Sequence, residues 1–98
     1  MADYEEAVAR EVHTLLLSAK PETTDKDLAS AAERASFEKD PKACRSDDFR
    51  AGAFSAIQDF RNAIVEGASH SERKRRLRHA VNCAHGWLNA RRFPNPYL

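Results

Sequence analysis

Apolar residues recur at spacings of three and four along most of this 98-residue chain. Such spacing brings them onto one side of an α-helix, with about 3.6 residues per turn. The clearest run consists of Phe49, Ala53, Ala56, Ile57, Phe60 and Ile64. Only 3 Gly and 4 Pro are present, which is too few turn residues for a β-sandwich. The pattern therefore predicts an all-α fold.

Capping residues, prolines and a glycine divide the chain into four predicted helices. Their predicted bounds are approximately 3–20, 24–39, 47–66 and 70–92. The expected helix starts are Asp3, Thr24, the segment Ser46-Asp47-Asp48, and a capping box from Ser69 to Glu72. Pro21 and Pro41 stop the first two helices, and Gly67 suits the left-handed residue that follows the third.

Short connections between these helices favour antiparallel neighbours. We therefore predict a compact four-helix bundle-like single domain over residues 1–98, with a short Pro-containing tail at 93–98. Phe93 and Tyr97 are expected to fold back onto the bundle, and a recognition peptide for another domain is the alternative for this tail. The other expected inward residues are Tyr4, Val8, Val12, Leu15, Leu16, Ala19, Leu28, Ala31, Ala32, Ala35, Leu77, Ala80, Val81, Ala84, Trp87 and Leu88.

Charge is distributed unevenly although the net charge is only +1. Residues 1–48 hold 12 acids and 7 bases, whereas residues 49–98 hold 3 acids and 9 bases. This separation either steers a partner toward one face or draws the two halves of the fold together. The acidic start of the chain lacks the order of a secretory signal, and no apolar run reaches the length of a membrane span. We therefore predict a cytoplasmic protein without a membrane partner.

The segment from Arg73 to His79 places five fixed cations in less than two helical turns. A helix N-terminus already carries positive partial charge, so the helix itself does not favour cations there. Arg75, Arg78 and His79 are predicted to face solvent, together with Asn82. These residues therefore form a candidate binding face.

Several interpretations of this face remain open. It is either a solvated face partly neutralised by acids of the first two helices, a surface for nucleic acid, or a surface that docks on an acidic protein. The preferred hypothesis is a small non-enzymatic protein-binding module, of adaptor or inhibitor type, that engages an acidic partner surface. A nucleic-acid-binding domain using the same basic helix is the alternative. The predicted partner-binding residues are Arg73, Lys74, Arg75, Arg76, Arg78, His79, Asn82, Phe54 and Val65.

Phe54 and Val65 join this set because they lie off the apolar stripe of the third helix. Leu17 and Phe37 are similarly displaced from the stripes of their helices. Apolar residues that gather on a surface mark an interface, whereas scattered ones do not. The pattern favours a protein partner or a homodimer centred on the third helix.

His79 and Cys83 are four residues apart and share one side of a helix. Two such side chains make half of a metal site, which His13, His70, His85 or Cys44 would have to complete. No known catalytic or nucleotide-binding motif is present in the sequence. We therefore predict no metal, no cofactor and no enzymatic activity, with both cysteines reduced.

Overall fold

Four α-helices make up the described part of the chain. The computed structural model describes the backbone of residues 4–35 and 44–92, and the side chains of residues 6–35 and 49–90. The helices are α1 (Tyr4–Ser18), α2 (Asp25–Ala35), α3 (Cys44–Val65) and α4 (His70–Arg92). The protein is an all-α helical bundle, as predicted. Within the described ranges, no helix combines the length and the apolar character that crossing a membrane requires.

The helices form a ring in which each packs against its neighbours in the sequence and α1 closes on α4. Asp25 at the start of α2 pairs with Arg61 near the end of α3, with 2.7 Å between Oδ1 and Nε. Arg50 near the start of α3 donates to the carbonyl oxygen of Ala35 at the end of α2. These two contacts show that α2 and α3 run antiparallel.

The core lies at the centre of this ring and contains most of the predicted inward residues. The alanine and leucine stripe of α2 is fully confirmed, since Leu28, Ala31, Ala32 and Ala35 are all buried. The largest fully buried side chains are Trp87, Phe60, Leu16, Ile57 and Val12.

Some of the predicted inward positions are wrong. Phe49 is 40% exposed and Leu15 is 37% exposed. Leu15 lies at the edge of its stripe, whereas Phe49 follows the stripe but lies toward the start of α3. The unpredicted residues Ala9 and Ala63 are completely buried. Ile64 and Val81 are half-buried but pack against the core, as predicted.

The start of α2 has the capping residues that the sequence predicts. The backbone N–H of Asp27 donates to Thr24 Oγ1, and the backbone N–H of Thr24 donates back to Asp27 Oδ2, both at 3.4 Å. The Thr24 hydroxyl also donates to the same carboxylate at 2.7 Å. This reciprocal bonding satisfies donors that the first turn of a helix leaves without partners.

The connection between α3 and α4 is a tight turn built on Gly67. Its φ of 70° is the left-handed conformation predicted from the sequence. Gly67 N–H donates to Ile64 O at 3.2 Å, and Ala68 N–H donates to Ala63 O at 2.9 Å. These two bonds form a Schellman motif, which ends α3 and starts the return of the chain along α4.

The start of α3 and the end of α1 differ by two or three residues from the approximate predicted bounds. α3 begins at Cys44, so the backbone of Cys44 and Arg45 is helical rather than irregular. The backbone of Asp47 and Asp48 therefore lies within the helix rather than at its start.

α1 ends at Ser18, two residues earlier than predicted. The chain then turns at Lys20, whose backbone N–H donates to Thr23 Oγ1 at 2.8 Å. The predicted cap at Asp3, the expected end of the second helix at residues 36–39 and the docking of the tail at 93–98 lie outside the described residues.

Candidate functional site

The cations of α4 do not all have the same environment. Lys74, Arg75 and Arg78 are exposed, and so is Asn82. The side chains of Lys74 and Arg78 form no ion pair or hydrogen bond with another described residue. The outward face of the helix therefore presents positive charge to solvent, at the positions where the sequence predicts it.

Glu72 binds two of the arginines in the first turns of α4. One of its carboxylate oxygens accepts from Arg76 Nε at 2.8 Å, and the other accepts from Arg75 Nε at 3.1 Å. Hydrogen bonds from Arg75 and Arg76 lower the pKa of Glu72 to about 2, so the carboxylate is charged at neutral pH. Glu72 N–H donates to Ser69 Oγ as predicted, but its carboxylate turns to these arginines, so only half of the predicted capping box forms.

Arg73 makes bonds within the fold. Its Nε donates to the carbonyl oxygen of Ala68 at 2.8 Å, and its Nη1 lies 3.5 Å from the carbonyl oxygen of Pro21. Arg76 is also half-buried, and its Nη1 donates to the carbonyl oxygen of Asp59 at 3.0 Å. Arg73 and Arg76 therefore hold connections and helices together, whereas Arg75 remains 71% exposed.

A polar cavity of about 250 Å³ opens beside these arginines, between α3 and α4. It is lined by Asp59, Arg75, Arg76 and His79. Asp59 contributes a carboxylate, so the cavity is cationic overall but not uniformly so.

An apolar cavity of about 290 Å³ lies further along the same pair of helices. It is lined by Phe49, Gly52, His79, Asn82, Cys83 and Gly86. A Cβ on Gly86 would lie only 3.3 Å from Phe49 Cδ1, so the missing side chain lets the phenyl ring approach α4. Since His79 lines both cavities, the two are adjacent, and we call their combined surface the α3–α4 groove.

No protein-family model, curated protein or solved structure matches this chain.

Several residues of the groove were not among the sequence-predicted binding residues. These are Phe49, Gly52, Asp59, Cys83 and Gly86. The available signal was glycine inside a helical pattern, which destabilises a helix and often has a packing or binding reason. Two of the chain's three glycines lie in such positions.

Phe54 and Val65 line neither cavity. Phe54 is half-buried and packs against the core, whereas Val65 is 74% exposed at the end of α3. The structure thus brings Arg75, Arg76, His79 and Asn82 together along the groove and leaves these two apolar residues outside it.

The His79 and Cys83 pair forms as the spacing suggests, with Cys83 Sγ 3.6 Å from His79 Nε2. Burial raises the pKa of the Cys83 thiol, which disfavours the thiolate that a nucleophile or a metal ligand needs.

The other histidines that could have completed a metal site lie with different partners. His70 Nδ1 is 3.3 Å from Glu22 Oε1, and the rings of His13 and His85 are 5.4 Å apart between α1 and α4. Among the described residues, no group of three or more His, Cys, Asp or Glu side chains is arranged to hold a metal ion.

Proposed function

We propose that this protein is a small non-enzymatic binding module that engages an acidic surface of a partner protein through α4. The observation that supports this function is the exposure of Lys74, Arg75 and Arg78 on the outward face of one helix. Among the described residues, Glu72 is the only carboxylate paired with lysines or arginines of α4, and it binds two arginines at once. Positive charge therefore remains in excess on this face.

Excess charge of this kind acts mainly on the rate and orientation of binding. An ion pair between exposed side chains contributes only about 0.2–1 kcal/mol, so three cations alone would give weak affinity. They would nevertheless attract an acidic protein and exclude a basic one. Arg78 is suited to this role because a guanidinium binds a carboxylate with two parallel hydrogen bonds, whereas Nε and Nη2 of Arg75 already donate to Glu72.

The apolar cavity beside the arginines favours a protein partner over nucleic acid. A surface that tracks phosphates gains most of its affinity from Lys and Arg. An apolar cavity instead contacts apolar side chains, which a protein partner supplies. Binding of duplex DNA is the alternative outcome of the experiment.

The proposal places the module in the cytoplasm. The free thiol of Cys83 supports this location, because exposed or half-buried thiols persist in reducing compartments.

The proposed function is tested by affinity capture from the source cells with three forms of the protein. These are the wild type, the pair Arg75→Glu and Arg78→Glu, and the control pair Lys20→Glu and Lys26→Glu. Lys20 and Lys26 are also exposed, so both double variants change the net charge equally. We expect an acidic protein that the wild type and the control retain and the arginine variant loses.

The captured protein is then purified and its affinity for the wild type is measured at increasing salt concentration. We expect the affinity to fall with salt, since the charges involved are exposed. Identical capture by all three forms would contradict the proposal. So would tight binding of duplex DNA at about 50 mM salt that the arginine variant loses, because that result would indicate a nucleic-acid-binding domain.

A further inference from the structure

The α3–α4 groove has two chemically different ends. Arg75, Arg76 and Asp59 line the end near the tight turn. Phe49 and Gly86 line the opposite end, which is almost entirely apolar. On α4 the groove extends from Arg75 to Gly86, a rise of about 16 Å or three helical turns.

The apolar end offers an unfilled surface. Phe49 is 40% exposed although it is one of the largest apolar side chains of the chain. A Cβ on Gly52 would meet no atom within 4 Å, so packing within the described chain does not require glycine there. Glycine inside a helix lowers stability by about 0.5–1 kcal/mol relative to alanine. The missing side chain leaves space above α3 for an apolar group from outside.

The shape of the apolar cavity favours protein side chains over a small molecule. Its shallow form between two helices is typical of a groove that receives side chains from another helix.

The backbone around the groove favours a helical occupant. Gly52 and Gly86 lie inside α3 and α4, where their N–H and C=O groups belong to the hydrogen bonds of those helices. An extended peptide would find no sheet edge there to bond with its own backbone. A helix needs no such edge, because it satisfies its backbone groups internally.

The charges beside the α3–α4 groove determine which kind of helix can bind there. The guanidinium of Arg75 lies at one end of the groove and shares the single carboxylate of Glu72 with Arg76. Arg78, which pairs with no other described residue, lies about one turn along the same helix. Carboxylates of an occupant would complement these cations, while its apolar side chains would contact Phe49 and fill the space over Gly52.

We infer that the α3–α4 groove binds an acidic amphipathic helix of a partner protein, with bulky apolar side chains over Gly52 and Phe49 and carboxylates toward Arg75. This inference rests on the proposed function and specifies the part of the partner that is recognised. It also adds an apolar contact that the exposed cations alone do not supply.

The first experiment selects ligands from a displayed library of helical peptides. Apolar residues are fixed at positions i, i+3, i+4 and i+7, and the remaining positions vary among Glu, Lys and Gln. We expect the wild-type protein to enrich peptides with net negative charge. Enrichment of basic peptides, or of none, would overturn the inference.

The second experiment measures the affinity of an enriched peptide by fluorescence anisotropy. Gly52→Leu fills the apolar cavity without touching an arginine, and the open space at Gly52 tolerates the new side chain. Ala51→Leu is the matched control, since Ala51 is exposed on α3 but does not line the cavity. We expect Gly52→Leu to weaken binding by about tenfold or more and the control to change it by less than about twofold. Circular dichroism of each variant verifies that the helices form.

The glycines provide an internal check by NMR. Amide signals of Gly52 and Gly86 should move when the peptide is added, whereas the signal of Gly67 in the tight turn should move less. A scrambled peptide of equal composition should leave all three unchanged. Equal shifts with the scrambled peptide would overturn the inference, since charge alone would then explain binding.

The results separate this inference from the proposed function. If Gly52→Leu binds the peptide as the wild type does, the inference is wrong, whereas the capture experiment with Arg75→Glu and Arg78→Glu still decides the proposed function. Sedimentation that shows a wild-type dimer, converted to monomer by Gly52→Leu, would also overturn the inference, because the occupant would be a second copy of this chain.

Discussion

Gly67 and Gly52 illustrate how one residue type acts differently in two backbone environments. Gly67 has a φ of 70°, a conformation that costs other residues roughly 1–2 kcal/mol because of their Cβ. Gly52 lies inside α3 with helical neighbours and open space where a Cβ would be. The first glycine is required by the turn, and the second is not required by the fold.

Replacing each glycine by alanine should therefore change stability in opposite directions. Gly52→Ala should raise the free energy of unfolding by about 0.5–1 kcal/mol, since alanine favours the helix. Gly67→Ala should lower it by about 1 kcal/mol, since the turn strains any Cβ. Urea denaturation followed by circular dichroism measures both. A loss of stability in Gly52→Ala would mean that glycine is needed there by the fold itself.

Apolar spacing predicts burial well in the middle of α3 and less well toward the start of that helix. Ile57 and Phe60 are fully buried as expected. Phe49 fits the same spacing but lies where α3 faces the groove, and spacing alone does not show whether a neighbouring helix covers that position. The exposed part of the groove was missed for this reason.

At the scale of a single element, α4 combines two kinds of arginine. Arg73 links the α3–α4 turn to the α1–α2 connection through the carbonyl oxygens of Ala68 and Pro21. Arg78 is exposed and pairs with nothing else in the described chain. The same charged segment therefore contains Arg73, which bonds within the fold, and Arg78, which is exposed to solvent.

Substituting these two arginines with glutamine should separate the two roles. Arg73→Gln should lower the free energy of unfolding by about 1 kcal/mol, the usual contribution of an internal hydrogen bond. Arg78→Gln should change it by less than about 0.5 kcal/mol, as is typical of an exposed position. Chemical denaturation of both variants provides the measurement. Equal effects would show that the bonds of Arg73 do not stabilise the fold.

Local sequence signals determine where most elements begin and end. The capping residues of α2 and the left-handed glycine after α3 act within a few residues, so the sequence predicts them correctly. The contact between Arg73 and Pro21 joins residues 52 positions apart. No local pattern contains that information, because it depends on how the helices pack.

At the scale of the whole molecule, the closure of the ring brings two histidines together. His13 of α1 lies with its ring 5.4 Å from that of His85 of α4. Burial, and secondarily the nearby charge of His85, lower the pKa of His13. The folded protein therefore binds a proton at His13 less readily than the unfolded chain does.

The free energy of unfolding should consequently decrease on acidification because of the contact between His13 and His85. Above the ordinary histidine pKa of about 6.5, His13 is neutral in both the folded and the unfolded protein, so this linkage does not lower stability. As the pH falls toward the lowered pKa of His13, the unfolded chain binds the proton more readily and the free energy of unfolding decreases. Replacing His85 by glutamine removes one cause of the lowered pKa of His13. The melting temperature of this variant should therefore fall less than that of the wild type between about pH 7 and pH 5. Thermal unfolding at both values measures the difference, with His79→Gln as the control outside this contact. A loss in His85→Gln equal to that of the wild type would contradict this interpretation.

The overall class of the fold followed from apolar spacing and short connections, but the positions of charge did not. The sequence shows an acidic half and a basic half, and it leaves open whether they meet. The pair of Asp25 with Arg61 joins them across α2 and α3, while Lys74 and Arg78 remain outside any such pair in the described chain. Helix packing determines which cations remain exposed.

The packing of α1 on α4 is more extensive than its packing on α2, which has a consequence for biosynthesis. Translation adds about 5–20 residues per second, so the first helix leaves the ribosome several seconds before its principal partner is made. During that interval Val8, Val12 and Leu16 lack the surface that later covers them. The nascent chain would thus be a transient client for chaperones until its final helix emerges.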